Sequence, residues 1–236
     1  MLVVSEGLAY NRDLRCPMLL EPALMSGVAT PTPFRVLIVD DHPIVRDGIT
    51  TLLSSQDDMQ VVGEAGDGAE AVRRFAELSP DITLMDVQMD AMGGVEAARA
   101  IRALAPAAKI LMLTTYAGDV QASAAIRAGA AGYILKSAIR KDLLDAIRAV
   151  GSGKRALSAE VAHNLAQHAL DDPLTPRELD VLRLVAEGHG NKMIAIQLNL
   201  GIDTVKAHLK SVFSKLDVDD RTHAVVVASR RGYIEC

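Results

Sequence analysis

Short apolar runs alternate with amphipathic stretches over residues 34–152. The runs lie at 35–39, 60–64, 81–85, 109–114 and 132–135. Runs of this length and aliphatic content are typical of buried parallel strands. Positions with a helical period separate them, at 43–54, 68–78, 94–104, 119–128 and 139–150. Five such repeats predict an α/β domain: a doubly wound five-stranded parallel sheet with helices on both faces.

Beyond Gly151 the apolar positions follow a helical period alone. Residues 158–169 predict an amphipathic linker helix. Thr175, followed by a proline and then by Glu178, is a capping box that predicts the start of the next helix. Three further helices are predicted at 191–198, about 202–216 and 221–231. The short helix, the turn at Leu200-Gly201 and the longer helix form a helix-turn-helix. The second domain is therefore predicted to be all-α, with four helices.

These patterns divide the chain into four segments. Residues 1–33 have no sustained period and are predicted to be a disordered N-terminal extension, within which Met25 is an alternative start. The α/β domain covers 34–152, the linker helix 153–172, and the helix-turn-helix domain 173–236.

Composition adds three limits. No apolar run approaches the ~20 residues that span a membrane, so we expect a soluble protein without a membrane partner. The two cysteines, Cys16 and Cys236, stand near opposite ends of the chain and give no disulfide framework, which is consistent with a cytoplasmic location. The formal net charge is −5, but residues 173–236 hold 9 Lys+Arg against 8 Asp+Glu. This slight basic excess is weak evidence for a nucleic-acid partner.

Charged and hydroxyl side chains stand where four predicted strands end. Asp40 and Asp41 follow the first run, and Asp86, Thr114 and Lys136 end or follow later ones. The carboxyl ends of parallel strands meet at one edge of a sheet. Gathered carboxylates repel each other unless a cation intervenes, and oxygen ligands suit Mg²⁺. Taken singly, each residue has an ordinary explanation, such as a helix cap, a turn residue or a surface lysine. Their convergence favours a metal site with chemistry at one carboxylate.

The longer helix of the helix-turn-helix has two distinct faces. Val205, Leu209, Val212 and Leu216 form its predicted buried stripe, while Lys206 and Lys210 stand four residues apart on the outer face. The second helix of such a motif can enter the major groove of DNA. The candidate DNA contacts are Asn191, Lys192, Thr204, Lys206, Ala207, His208 and Lys210. An ordinary solvated helix in an α-bundle is the alternative for this stretch taken alone.

Two sets of motifs resemble a known family over residues 34–234. VLIVDDHPIVRDGI, DITLMDVQM, ILMLTTY and AAGYILK are similar to the flavodoxin-like receiver domain of bacterial response regulators. LTPRELDVLRLVAEGHGNKMIAIQL followed by DTVKAHLKSVFSKL resembles the DNA-binding domain of the LuxR/NarL class. The match is specific because two independent sets of motifs occur in the expected order.

The resemblance implies a role for each matching residue. Asp86 would accept a phosphoryl group from a sensor histidine kinase. Asp40, Asp41, Asp86 and the backbone carbonyl of Gln88 would hold Mg²⁺. Lys136 would pair with the phosphoryl oxygens and Thr114 would turn toward them. Tyr133 matches the aromatic residue whose rotamer reports the switch.

The expected function is therefore that of a DNA-binding transcriptional regulator of a two-component system, not an enzyme. It would bind double-stranded promoter DNA and form a homodimer when active. One alternative is a DNA-binding regulator that is independent of phosphorylation and uses its receiver for dimerisation. Another is a phosphatase with an aspartate nucleophile of the haloacid-dehalogenase type. That class needs a second Asp two residues after the nucleophile, where this chain has His42 or Gln88.

Overall fold

The computed structural model of the protein describes residues 32–234. The predicted extension at 1–33 lies outside this range except for its last two residues, as do Cys16, Met25 and Cys236. Within residues 32–234, every helix is too short or too polar to cross a membrane.

The α/β domain has the predicted alternation of strands and helices. Its strands are β1 (Phe34–Val39), β2 (Met59–Ala65), β3 (Ile82–Asp86), β4 (Ile110–Thr114), β5 (Gly132–Leu135) and β6 (Ala156–Leu157). Its helices are α1 (Pro43–Ser54), α2 (Gly68–Leu78), α3 (Gly94–Leu104), α4 (Asp119–Arg127) and α5 (Ile139–Gly151), and a short 3-10 turn at Lys136–Ala138 precedes α5. The five long strands and five helices agree with the sequence prediction to within one or two residues at each end.

The sheet is parallel throughout and has the order β2-β1-β3-β4-β5-β6. In the register, Asp86 pairs with Leu113 and Thr114 pairs with Leu135. The carboxyl ends of β1, β3, β4 and β5 therefore meet at one edge. The chain order reverses between β1 and β3, which is where ligand sites form in open α/β sheets.

The sheet contains one strand more than the sequence predicts. Two residues are too short to show a strand period, so β6 left no signal in the pattern. It forms because the linker pairs with β5: the Ala156 N–H donates to the Ala131 carbonyl, and the Ser158 N–H donates to the Tyr133 carbonyl. The linker is thereby joined to the strand that leads to Lys136.

Both faces of the sheet are covered by helices. Each face of the sheet has its own hydrophobic core, and alternate residues of β1 point into one or the other. Leu37 and Val39 pack with α2, α3 and α4, whereas Val36 and Ile38 pack with α1 and α5. Burial of each such aliphatic side chain stabilises the fold by about 1.5–3 kcal/mol. Val161, from helix α6 (Ala159–Gln167), is fully buried in the first of these cores. The linker helix therefore packs against the α/β domain.

The remaining helices are α7 (Pro176–Ala186), α8 (Asn191–Gln197), α9 (Ile202–Leu216) and α10 (Arg221–Arg231). The predicted capping box starts α7: the Thr175 hydroxyl accepts from the Glu178 N–H, and the Glu178 carboxylate accepts from the Thr175 N–H. Asn199, with a φ of 53°, and Gly201 form the turn between α8 and α9. A separate aliphatic core holds the four helices together.

Candidate functional site

The acidic residues at the strand ends come together in a largely buried pocket. Asp40 is 0% exposed and Asp86 1% exposed, while Asp41 is partly exposed. Lys136 reaches both buried carboxylates from the end of β5. Its Nζ lies 2.7 Å from Asp40 Oδ2 and 2.8 Å from Asp86 Oδ2. One ammonium group thus stands between two carboxylates, as the convergence of strand ends predicts.

Burial and ion pairing act against each other in this pocket. Burial raises the pKa of Asp86, and the Lys136 ammonium opposes that shift only in part. Burial alone would lower the pKa of Lys136, but its pairing with Asp40 and Asp86 outweighs that effect and raises the pKa. The pocket holds more negative than positive charge, so an additional cation would be stabilised there.

The donor set fits a divalent cation. Asp40, Asp41, His42 and Asp86 each offer a ligand atom, and these atoms lie within 4.8 Å of one another. Three of the four groups are carboxylates, which suit a hard ion such as Mg²⁺. Gln88 lies beside them, since its N–H donates to Asp86 Oδ1 over 3.4 Å.

Two residues near the pocket were not singled out from the sequence. His42 Nδ1 is 3.3 Å from Asp40 Oδ1 and also contacts Asp41. Arg46 donates from its guanidinium to the Asp40 carbonyl over 2.6 Å and to Glu64 over 3.1 Å. It therefore braces the loop that carries the Asp pair against β2. The only sequence signal for either residue is its closeness to that pair.

Thr114, at the end of β4, and Tyr133, within β5, are both fully buried. The Thr114 hydroxyl donates to the Tyr116 carbonyl over 3.1 Å and accepts from the Tyr116 N–H over 3.3 Å. These bonds lie within the loop after β4. Burial raises the pKa of Tyr133 to about 12, so its hydroxyl is neutral at ordinary pH.

The candidate DNA contacts lie mainly on the solvent-exposed side of α8 and α9, which we call the open face of the helix-turn-helix. Lys192, Thr204, Lys206, Ala207 and Lys210 are exposed, whereas Asn191 and His208 are partly exposed. Lys206 also pairs with Asp203 in the first turn of α9, at 2.9 Å. The predicted inner stripe of α9 is buried, as Val205, Leu209, Val212 and Leu216 are 7% exposed or less. The amphipathic prediction for α9 is confirmed.

A buried carboxylate fixes α9 to α7. Glu178 accepts from the Ser211 hydroxyl over 2.6 Å and from Lys215 Nζ over 3.0 Å. Burial would raise the pKa of Glu178, but the bonds from Ser211, the Thr175 N–H and Lys215 hold it at about 2. Lys215 therefore turns inward and is not part of the open face of α9, although it belongs to the same basic helix.

Helix α10 carries an apolar stripe of Ala224, Val225, Val227 and Ala228. Ala224 and Ala228 are fully buried in the core of their own domain, while Val225 and Val227 are partly buried against it. The two alanines of the stripe are thus core residues. Val226 is the exposed valine of this helix, at 42%.

A parallel α/β domain with an acidic pocket at β1 and β3, joined to a helix-turn-helix domain, has the architecture of a response regulator. Residues 36–148 match the response regulator receiver domain, and residues 172–228 match the bacterial regulatory proteins of the luxR family. The chain therefore belongs to the response regulators that combine a receiver with a LuxR-type DNA-binding domain.

Individual relatives agree with this assignment. The chain is 44% identical over 208 residues to the transcriptional regulatory protein LiaR of Bacillus subtilis, covering 85% of this chain and 99% of that protein. It is 42% identical over 206 residues to the response regulator protein VraR of Staphylococcus aureus, with the same coverage. Among solved structures, RcsB of Salmonella enterica serovar Typhimurium, bound to promoter P1flhDC in the presence of phosphomimetic BeF3−, is 30% identical. The alignment covers 84% of this chain and 99% of the RcsB chain, with a TM-score of 0.66.

Proposed function

We propose that this response regulator is activated when a sensor histidine kinase transfers a phosphoryl group to Asp86. One observation carries the proposal: the Asp86 carboxylate lies at the end of β3, 2.8 Å from Lys136 Nζ and beside Asp40. It ends a central strand of the sheet at the point where the chain order reverses.

The residues of the pocket divide the chemistry among themselves. A carboxylate oxygen of Asp86 would attack phosphorus and form an acyl phosphate, while the bond from phosphorus to the kinase histidine nitrogen breaks and the nitrogen keeps the electron pair. A carboxylate is a weak nucleophile, so the transfer depends on positioning and on neutralising charge. Mg²⁺, held by Asp40, Asp41, Asp86 and the Gln88 carbonyl, would supply that positive charge. Lys136 would then pair with the phosphoryl oxygens.

We propose that the output is binding to double-stranded promoter DNA by α9, with α8 crossing the backbone. Lys192, Lys206 and Lys210 would provide the positive charge, and Asn191, Thr204, Ala207 and His208 the remaining contacts. A single domain with so small a basic excess holds DNA weakly, so two copies on neighbouring half-sites would bind as a homodimer. This role makes the protein a phosphoryl acceptor and regulator, not an enzyme, and it would act where bacterial DNA lies, in the cytoplasm.

Incubation with acetyl phosphate and Mg²⁺, followed by intact mass measurement, tests this function. We expect a stable adduct of one phosphoryl group that requires Mg²⁺ and is lost when the acyl phosphate is hydrolysed by base. The Asp90→Asn variant is the matched control, because Asp90 is an exposed carboxylate four residues from Asp86. Continuous release of free phosphate without an adduct would instead indicate a phosphatase. No reaction, with unchanged DNA binding, would indicate a regulator independent of phosphorylation.

A further inference from the structure

Arg46 joins the loop that carries the aspartate pair to the end of β2. Its guanidinium donates from Nη1 to the Asp40 carbonyl over 2.6 Å and from Nε to Glu64 Oε2 over 3.1 Å. The other oxygen of Glu64 accepts from the Thr50 hydroxyl over 3.0 Å. Arg46 and Thr50 stand one turn apart on the same face of α1, so Glu64 is held from two positions on that helix. We call Arg46, Glu64 and Thr50 the α1–β2 brace.

The brace acts on a point of the chain that strand pairing no longer controls. The register of β1 with β2 ends at Val39 with Ala65. The Asp40 N–H still donates to the Ala65 carbonyl over 3.2 Å, but the Asp40 carbonyl accepts from Arg46. Asp40 is 0% exposed, and a buried carbonyl without a donor is costly. Arg46 therefore supplies the hydrogen bond that water supplies to an exposed loop.

The same hydrogen bond constrains the direction of Asp41. A peptide unit is planar, so the Asp40 carbonyl and the nitrogen and Cα of Asp41 lie in one plane. Fixing the carbonyl fixes that plane and narrows the directions in which the Asp41 side chain can leave the backbone. Asp41 is only partly buried, so burial alone does not hold its carboxylate within reach of Asp40 and Asp86.

Charge alone gives no reason for an arginine at this place. A permanent positive charge beside a pocket that suits a divalent cation repels that cation. Glu64 offsets the charge of Arg46 through their 3.1 Å ion pair. The planar fork of the guanidinium contacts Glu64 and the Asp40 carbonyl at once, which the single ammonium of a lysine is not shaped to do. The contribution of the brace to the pocket is therefore its geometry.

We propose that Arg46 is a positioning residue for the divalent cation and that Glu64 holds its guanidinium in place. The brace fixes the peptide between Asp40 and Asp41 so that both carboxylates face Asp86 before the cation arrives. Arg46 acts through the backbone of Asp40 and does not contact the cation. This inference rests on the function proposed above, because it assigns a role toward the cation on which transfer to Asp86 depends.

Arg46→Gln in the full-length protein tests the proposal by the sign of its effect. Removing a positive charge would raise Mg²⁺ affinity if charge were all that Arg46 contributed. Loss of positioning lowers the affinity instead, and we expect a fall of about tenfold, the usual effect of removing a partner that orients a metal ligand. Calorimetric titration with Mg²⁺ measures the affinity directly. The Mg²⁺ concentration that half-saturates uptake from acetyl phosphate should rise by the same factor.

Two further substitutions show whether the brace acts as a unit. Arg46→Lys keeps the charge but not the fork, so it should also lower Mg²⁺ affinity. Glu64→Gln keeps the shape of the side chain and weakens its ion pair with Arg46. If Glu64 acts by holding Arg46, the double variant should bind Mg²⁺ as Arg46→Gln alone does. Losses that multiply in the double variant would contradict the role given to Glu64.

Arg148→Gln is the matched control. Arg148 pairs with Asp58 at 2.7 Å and joins α5 to the residue before β2. Asp58 and Glu64 stand at opposite ends of β2, roughly 20 Å apart at about 3.3 Å per residue. This ion pair resembles the brace but lies away from the pocket, so its loss should leave Mg²⁺ affinity unchanged. Circular dichroism establishes that each variant is folded, and Arg46→Lys and Glu64→Gln still decide the question if Arg46→Gln is not.

The outcomes separate this inference from the proposed function. A folded Arg46→Gln protein that binds Mg²⁺ as tightly as the wild type, or more tightly, would overturn the positioning role, whereas phosphoryl uptake at Asp86 would leave the proposed function standing. An equal fall in Arg148→Gln would also overturn the positioning role, since the loss of any such ion pair would then suffice. A wild-type protein that does not bind Mg²⁺ would overturn both the positioning role and the part of the cation in the proposed transfer.

Discussion

The acidic pocket of the receiver and the open face of α9 both depend on charged side chains, but they keep them in different surroundings. In the pocket, Asp40 and Asp86 are almost wholly buried and share Lys136. On α9, Lys206 and Lys210 are exposed, and the pair between Lys206 and Asp203 is exposed as well. One region concentrates charge away from water, and the other displays it.

This difference sets how each region should respond to change. Charges in a buried cluster depend on one another, because removing one leaves the others uncompensated in a poorly solvated site. Exposed charges are screened by salt, and each contributes little and almost independently. The pocket should therefore behave as a switch in which single substitutions have large effects. The open face should respond in small, additive steps.

The largest effect is expected at Asp86. Asp86→Asn keeps the shape of the side chain but cannot form an acyl phosphate, so phosphoryl uptake from acetyl phosphate should be abolished while the fold is kept. Intact mass measurement beside the wild type is the check, with circular dichroism to follow the fold. A persistent phosphoryl adduct on the Asn variant would place the acceptor elsewhere, Asp90 being the nearest exposed carboxylate along the chain.

Asp41→Ala should have the next largest effect. It removes one of the carboxylates that could hold the cation, so Mg²⁺ affinity should fall by at least about tenfold and phosphorylation at limiting Mg²⁺ should slow with it. Calorimetric titration with Mg²⁺ measures the first quantity directly. Asp90→Ala, which removes an exposed carboxylate outside the cluster, is the control. Unchanged affinity in Asp41→Ala would remove this residue from the metal site.

The pocket could be predicted from sequence because its geometry follows from strand topology. Once β1, β3 and β5 are parallel strands, Asp40, Asp86 and Lys136 must share an edge. The open face of α9 could be predicted for a similar reason, since helical spacing alone separates Val205 from Lys206. In both cases a local period determines where the side chain points.

Contacts between elements with no shared period could not be predicted. Arg231 and Asp119 lie 112 residues apart, and nothing in either helix marks them as partners. Lys215 lies little more than one helical turn after Lys210, which is exposed, yet Lys215 points inward because it pairs with Glu178. The two-residue strand β6 is fixed by its pairing with β5, not by its own side chains. Such features depend on tertiary packing, which the local pattern of apolar and polar residues does not reveal.

Glu178 offers a test inside the DNA-binding domain, because it is a buried charge in the same domain as the exposed lysines of α9. Glu178→Gln should reduce the free energy of unfolding by about 1.5–3 kcal/mol, the usual contribution of hydrogen bonds to a charged group. Thermal or urea unfolding measures it. Glu187→Gln, at an exposed position just after α7, should have almost no effect. Equal stabilities in the two variants would contradict the comparison between buried and exposed charge.

The lowered pKa of Glu178 predicts that the stability of the DNA-binding domain depends on pH. The pKa of Glu178 is about 2 in the folded protein, against 4.5 as its ordinary value. A lowered pKa contributes stability that is fully present above pH 4.5 and is lost as the pH falls toward 2. Unfolding measured between these pH values should therefore show a steeper loss of stability in the wild type than in Glu178→Gln. Parallel curves would contradict this assignment.

The smallest effects are expected at the exposed lysines of α9. If Lys210 contacts only phosphate, Lys210→Ala should weaken binding to all DNA sequences about equally and reduce the slope of log affinity against log salt by ~1. If Lys206 contacts a base edge, Lys206→Ala should instead relax sequence preference at one position, by about 1–3 kcal/mol of discrimination. Salt titrations on several duplexes distinguish these patterns.

Lys141→Ala, at an exposed position in the receiver, removes a lysine charge that lies away from the recognition helix, so it should leave the slope unchanged. A double variant of Lys206 and Lys210 with wild-type affinity and slope would show that α9 is not the DNA-contacting element.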